Sequence, residues 1–190
     1  MPDSPTVMEF LLARRSRPAK LLRAPAPDGA QLVRLLTAAA RVPDHGKLEP
    51  WRFVVLHGAA CARLARDLDT RAAELGLDPE KRAKAVAAFS GSPLIVAVVA
   101  SPRASEKIPE IEQTLSAGAV CLSLVNAALA SGWGACWLTG WAASDSSVHV
   151  ALGLSGPEWI AGFIHIGTAD TPPPERPRPD IAALITVLES

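Results

Sequence analysis

Tyrosine is missing from this 190-residue chain, cysteine occurs three times, and neither sign of charge is in excess. Each shortage excludes something. Lys+Arg and Asp+Glu both number 19, so no broad positive field is available to hold a nucleic-acid backbone, and no nucleic-acid partner is expected. Cys61, Cys121 and Cys136 form no C-x-x-C pair and each sits in an apolar run. They read as buried, reduced thiols, which points to a reducing compartment. With no paired spacing among Cys, His and carboxylates, no metal site is expected. No apolar run is read as approaching the roughly 20 residues of a membrane span, and Met1 to Arg14 is too mixed for a signal peptide. The expectation is a cytoplasmic chain with no membrane partner. G-x-x-x-x-G-K-[ST] and G-x-S-x-G do not occur, which removes phosphate-loop NTPase chemistry and the serine-hydrolase elbow.

What is present suits one domain with a core: 49% of residues are apolar and 20% charged. Thr6 and Glu9 form a capping-box pattern, followed by Val7, Met8, Leu11 and Leu12 on one helical face. That helix is expected to end near Arg14-Arg15-Ser16, before Pro18. Asp28 caps a second helix with Leu32, Leu35, Leu36 and Ala39 as its stripe, and Pro43 stops it. Trp51–Leu56 reads as a strand, Cys61 to Leu68 as a helix, and Pro79–Phe89 as a shorter one. Leu94–Val99 is a β-branched run suited to a strand covered on both faces. Leu115, Gly118, Ala119, Leu122, Val125, Asn126 and Leu129 keep helical spacing in what should be the central helix. Gly132 and Gly134 break it before a strand from Ala135 to Leu138. Ser144 is expected to cap a short helix to Leu152, and Trp159–Ile166 is a further strand. A Pro-rich tether, Thr171–Pro179, leads to an apolar end, Ile181–Leu188, which packs either on another subunit or on its own domain. Helices alternating with strands give an α/β or α+β class around one sheet.

Three segments carry possible chemistry. Arg14-Arg15-Ser16-Arg17 closes the first helix. Two guanidinium forks and a hydroxyl suit a phosphate monoester, and a solvated helix C-terminus uses the same residues. Arg41 to Trp51 joins helix to strand through two prolines and a glycine, with Asp44, His45, Lys47 and Glu49 crowded on a stiff loop. Such a loop holds a ligand or is an ordinary solvated connection. Gly132 to Trp141 has glycines that follow a helix and open a strand, the reverse of a dinucleotide fingerprint. His57 and His149 read as surface residues, and His165 as a satisfied core histidine.

Taken together and in order, these segments resemble the nitroreductase family of FMN-dependent oxidoreductases, in particular its small single-domain bacterial members. The marks are Arg14-Arg15-Ser16; Ala40-Arg41-Val42-Pro43-Asp44-His45 before Glu49-Pro50-Trp51; Glu112-Gln113 leading to Ser116-Ala117-Gly118; Gly132-Trp133-Gly134 before Trp137; and Gly162 to Thr168. The resemblance spans Val7 to about Leu188. It implies an α+β, nitroreductase-like fold with a mainly antiparallel central sheet flanked by helices, in a single domain over residues 1–190. It also implies an intertwined homodimer with two FMN sites at its interface. The helix around Leu122 would form much of that interface, and the segment 171–190 would reach the partner. By the same resemblance Arg14, Arg15 and Ser16 would hold the FMN phosphate and ribityl chain, with Arg178 or its rival Arg176 added from the tail. Arg41 and His45 would reach the flavin from the other subunit, and Trp137, Leu138 and Thr139 would line its ring. NAD(P)H would reduce nitroaromatic or similar electron-poor small molecules, donor and acceptor using one site in turn. No catalytic side chain beyond these flavin ligands is implied.

The chain departs from many relatives at Lys47 and Glu49, where Asn and Gln are common. A lysine favours a reduced, anionic flavin, and a glutamate opposes it unless it points away or pairs with Lys47. A halogen-removing relative would need a lid tyrosine, which this chain lacks. A non-catalytic flavin carrier and a cofactor-free interaction domain are the competing classes.

Overall fold

The computed structural model describes residues 6–188. Thr6 accepts from the Glu9 backbone while Glu9 reaches back to Thr6, and this capping box starts α1, Val7–Ala13. Asp28 and Gln31 repeat the device at α2, Gly29–Ala39, which buries Leu32, Leu35 and Ala39 as its spacing predicts. Then come β1, Trp51–His57; α3, Gly58–Glu74; α4, Pro79–Ser90; β2, Leu94–Ala100; and α5, Glu110–Ala130. The remaining elements are β3, Gly134–Leu138; α6, Ser146–Ala151; and β4, Trp159–Gly167. The cap of α6 differs from expectation: Asp145, not Ser144, accepts from the Ser147 backbone and hydroxyl. A carboxylate beside a partly charged helix start outcompetes a neutral hydroxyl one residue earlier.

The four strands form one antiparallel sheet in the order β1-β2-β4-β3. All seven residues of β2 are buried, as its unbroken apolar run requires of a strand covered on both faces. One face, through Leu94, Val96, Val98, Ile164 and Ile166, packs on α2 and α5. The other, through Ile95, Ala97 and Phe163, packs on α3 and the residues around α6. The architecture is α+β, as expected.

α5 is the central helix. By length and composition Glu110–Ala130 is apolar enough to cross a membrane, which corrects the reading that no run approaches that length. Here it packs against α2, β2, β3 and β4 instead. Its buried side is Gln113, Ser116, Ala117, Val120, Cys121, Leu124, Val125 and Ala128, while Leu115 and Leu122 lie exposed. α1 buries no residue, and Val7, Met8, Leu11 and Leu12 all face outward. From 171 to 188 the chain is neither helix nor strand apart from a single turn at Ala182–Leu184. Ile181, Leu184, Ile185, Val187 and Leu188 there are exposed.

Candidate active site

Arg14 leaves α1 in an extended conformation, so the residues after it peel off and run beside the edge strand β3. The Arg17 N–H donates to the Ala135 carbonyl at 2.8 Å. This contact joins the arginine segment to the glycine-flanked strand, two regions more than a hundred residues apart in sequence. Between them is a cleft of about 400 Å³ lined by Phe10, Arg14, Arg15, Arg17, Leu129, Trp133 and Gly134. Arg14 Nη2 donates to Ser16 Oγ at 3.2 Å. Its Nε is buried with no hydrogen-bond partner among the described residues.

The tail returns to this cleft. Arg15 Nη1 donates to the Pro174 carbonyl at 2.7 Å, and Arg178 Nη2 donates to the Leu12 carbonyl at 2.6 Å. Arg178 therefore joins Arg14 and Arg15, whereas Arg176 makes no ion pair or side-chain hydrogen bond among the described residues. Burial, and then the cations of Arg178 and Arg15, hold the Arg14 guanidinium below its usual range. One carboxylate answers two of these three cations: Glu175 Oε1 lies 3.6 Å from Arg15 Nη1 and 3.5 Å from Arg178 Nη2. Glu175 has no motif around it, and only the path of the tail brings it here.

At the other end of β3, Trp137 and Leu138 are part-exposed at 39% and 37%. The indole Nε1–H of Trp137 donates to the Ala161 carbonyl at 3.1 Å. The ring lies so close over Gly162 that a Cβ there would strike it. A glycine in β4 is thus what seats this tryptophan. Thr139 is exposed and follows directly, before the left-handed turn at Gly140.

Arg41 and His45 sit elsewhere. Ser116 of α5 donates to the Pro43 carbonyl at 2.8 Å and accepts from the Trp51 indole at 3.2 Å. Asp44 accepts from the backbones of Leu48 and Glu49. His45 Nδ1 is 2.7 Å from Glu112 Oε2. Gly46, Lys47 and Glu49 all have positive φ, of 69°, 54° and 49°. Left-handed backbone at two non-glycine residues is costly and persists only where its surroundings impose it, a pattern that clusters at ligand sites. Lys47 and Glu49 are exposed and form no ion pair with each other. Glu112, the anchor of His45, was visible in the sequence only as part of a motif.

The loop rests on Glu112 and Ser116, and the cationic cleft on Leu129. Seventeen residues of α5 separate Glu112 from Leu129, about 26 Å at ~1.5 Å per residue. Within one chain the structure brings Arg14, Arg15, Ser16, Arg178 and β3 together, and leaves Arg41 and His45 at the far end of the helix.

A model of the family described as "Nitroreductase family" matches residues 11–168. The chain belongs to the nitroreductase family. The match covers the arginine segment, the His45 loop, α5 and the whole sheet, so the chain is an enzyme of an oxidoreductase family. It is 37% identical over 161 residues to an Escherichia coli (strain K12) protein named "Putative NAD(P)H nitroreductase YdjA", spanning 85% of this chain and 87% of that one. Among solved structures, the nitroreductase-like family protein from Bacillus cereus superposes with a TM-score of 0.83 at 22% identity, covering 100% of both chains. The FMN and NADPH-dependent nitroreductase NfnB from Sphigopyxis sp. strain HMH gives 0.73 at 19% identity, covering 97% of this chain and 100% of that one. At those identities the two structures speak for the nitroreductase fold.

Proposed function

We propose that this nitroreductase-family enzyme binds FMN and uses NAD(P)H to reduce nitroaromatic or similarly electron-poor small molecules. The observation that carries the reading is the cleft lined by Arg14, Arg15 and Arg17 and joined by Arg178 from the tail, with the Arg14 Nε unspent. The guanidiniums of Arg14, Arg15, Arg17 and Arg178 against the carboxylates of Glu9 and Glu175 leave two positive charges, which match a phosphate monoester dianion. The donors present therefore fit the phosphate end of FMN, with Ser16 beside them. FMN, when bound, supplies the hydride chemistry between nicotinamide and acceptor. Trp137, Leu138 and Thr139 continue from the cleft along β3 and give a part-exposed surface for a flat ring. Donor and acceptor take turns on that surface in a ping-pong cycle, and no protein acid or base is required because solvent protonates the product.

Arg41 and His45 contribute to this site from a second copy. With α5 paired antiparallel to itself about a two-fold axis, one chain's Glu112–Ser116 end meets its partner's Leu129 end. Each flavin is then bounded by both subunits. The exposed Leu115 and Leu122, and the exposed apolar end of the tail, give such a homodimer apolar surface to bury. Each chain is one domain, with residues 171–190 as its tether and partner-facing end. The three free, buried thiols suit a cytoplasmic setting.

The test is the visible spectrum of the purified protein, with the released cofactor identified. A yellow protein that releases FMN and bleaches anaerobically with NADH or NADPH is expected. A yellow protein that keeps its colour is a flavin carrier, and a colourless one that ignores added FMN overturns the assignment.

A further inference from the structure

We propose that Glu175 and a phosphate monoester compete for Arg15 and Arg178, so that this tail carboxylate sets how tightly the site holds its ligand. The proposal rests on the reading of the cationic cleft as a phosphate site. Three observations support competition rather than a supporting role. First, Glu175 is 3.6 Å from Arg15 and 3.5 Å from Arg178, beyond hydrogen-bond contact, and its side chain is 70% exposed. A carboxylate held this loosely moves aside at little cost. Second, the arginines owe their placement to other groups. Arg15 is fixed by the Pro174 carbonyl at 2.7 Å and Arg178 by the Leu12 carbonyl at 2.6 Å. Removing Glu175 leaves both anchors in place. Third, Glu9, the acidic residue that lines the cleft, is engaged by the Thr6 backbone at 2.7 Å and forms no ion pair among the described residues, whereas Glu175 pairs with both Arg15 and Arg178.

The charges explain the direction. A carboxylate brings one negative charge and two oxygens. A phosphate monoester brings nearly two charges and three oxygens, and displaces the carboxylate. A monoanion gains no such advantage. The internal carboxylate therefore makes the site selective for dianionic phosphate over singly charged ions. Because Glu175 lies on the same stretch of tail as Pro174 and Arg178, ligand phosphate also acts on the tether that leads to the apolar end of the chain.

The experiment uses the full-length protein stripped of any cofactor and its Glu175→Gln variant, with far-UV circular dichroism as the folding control. FMN and riboflavin are titrated by quenching of flavin fluorescence, and inorganic phosphate by thermal shift. In the variant, FMN and inorganic phosphate are expected to bind about three- to tenfold tighter, as loss of two weak surface pairs implies. Riboflavin, which has no phosphate, should bind equally to both proteins. Unchanged or weaker phosphate and FMN binding in the variant overturns the proposal, since it would make Glu175 a bystander or a support for the arginines. Equal tightening of riboflavin overturns it too. If the wild-type protein takes up no flavin, the flavin assignment fails, and inorganic phosphate alone still decides the competition by the same criterion.

Discussion

His165 is a residue whose ionisation this fold opposes. It is fully buried, its Nδ1 lies 2.7 Å from Ser92 Oγ, and its Nε2 has no partner among the described residues. The Ser92 hydroxyl donates to the Ala88 carbonyl at 2.9 Å, so the imidazole donates from Nδ1 to Ser92 Oγ. A second proton would place an unpaired cationic N–H in the core. Burial pushes the imidazole down to about 4. The folded-state value lies below the unfolded one, so only the unfolded chain takes up this proton between pH 6.5 and 4. Stability is full above that window and falls as pH drops through it, by up to about 3 kcal/mol. Urea denaturation at stepped pH should show this fall, and His165→Gln should flatten it; equal slopes in the two proteins would rule it out. Glu158 adds a separate loss at lower pH. Arg52 and then Ser101 and the Ser155 backbone hold it down to about 2, so its stabilising contribution is complete above pH 4.5 and disappears toward pH 2. The residue scale also holds the sharpest test of the proposed cofactor site. Arg14→Ala removes the unspent Nε and should weaken FMN retention about tenfold or more, read by flavin fluorescence. Full flavin occupancy in that variant would remove Arg14 from the phosphate site. The Arg14-Arg15-Ser16 motif was legible because its chemistry is local. Glu175 was not, because an isolated glutamate among prolines announces nothing until the chain path places it beside two guanidiniums.

At the scale of elements, β3 and β4 act as one unit. Trp137 holds its position by a hydrogen bond to Ala161 and by the space above Gly162. Gly162→Ala should force the indole off its seat. The expected cost is about 1 to 3 kcal/mol of stability, with a shift in tryptophan emission, while the sheet persists. An unaltered emission and melting temperature would show that the indole is not seated there. The loop before β1 depends likewise on α5. Ser116→Ala severs both the Trp51 indole and the Pro43 carbonyl from the helix. The loop with its left-handed Lys47 and Glu49 should then loosen, seen as faster amide exchange at residues 44–49 and unchanged exchange in β2. Most elements were legible from spacing: the capping box at Thr6, the cap at Asp28, the apolar run of β2, the stripe of α3. The start of α6 was misplaced by one residue because Ser144 and Asp145 both suit a cap, and tertiary contacts chose. Arg71 Nε donates to Asp145 at 3.1 Å and anchors that carboxylate.

For the whole molecule, the exposed half of α5 matters most. Leu115 and Leu122 are 66% and 47% exposed on a helix whose other side is core. In the proposed dimer, with a two-fold partner on that face, Leu122→Glu should shift the protein toward monomer in sedimentation and lower flavin retention together, because each site would lose the Arg41 and His45 proposed to come from the second copy. A monomeric variant that keeps its flavin fully would separate the two and refute the shared site. The sequence by itself determined the alternation of helices and strands, the burial of β2 and the cationic turn after α1. Those properties follow from hydrophobic period, caps and residue chemistry within a few neighbours. Only the tertiary structure decided which side of α5 is core, since small and large apolar residues ring that helix and period alone does not choose between two apolar faces. It also decided that Arg178 rather than Arg176 reaches the arginine pair, and that Arg41 and His45 lie about 26 Å along α5 from it. A long helix keeps the residues at its two ends apart however closely the motifs associate them.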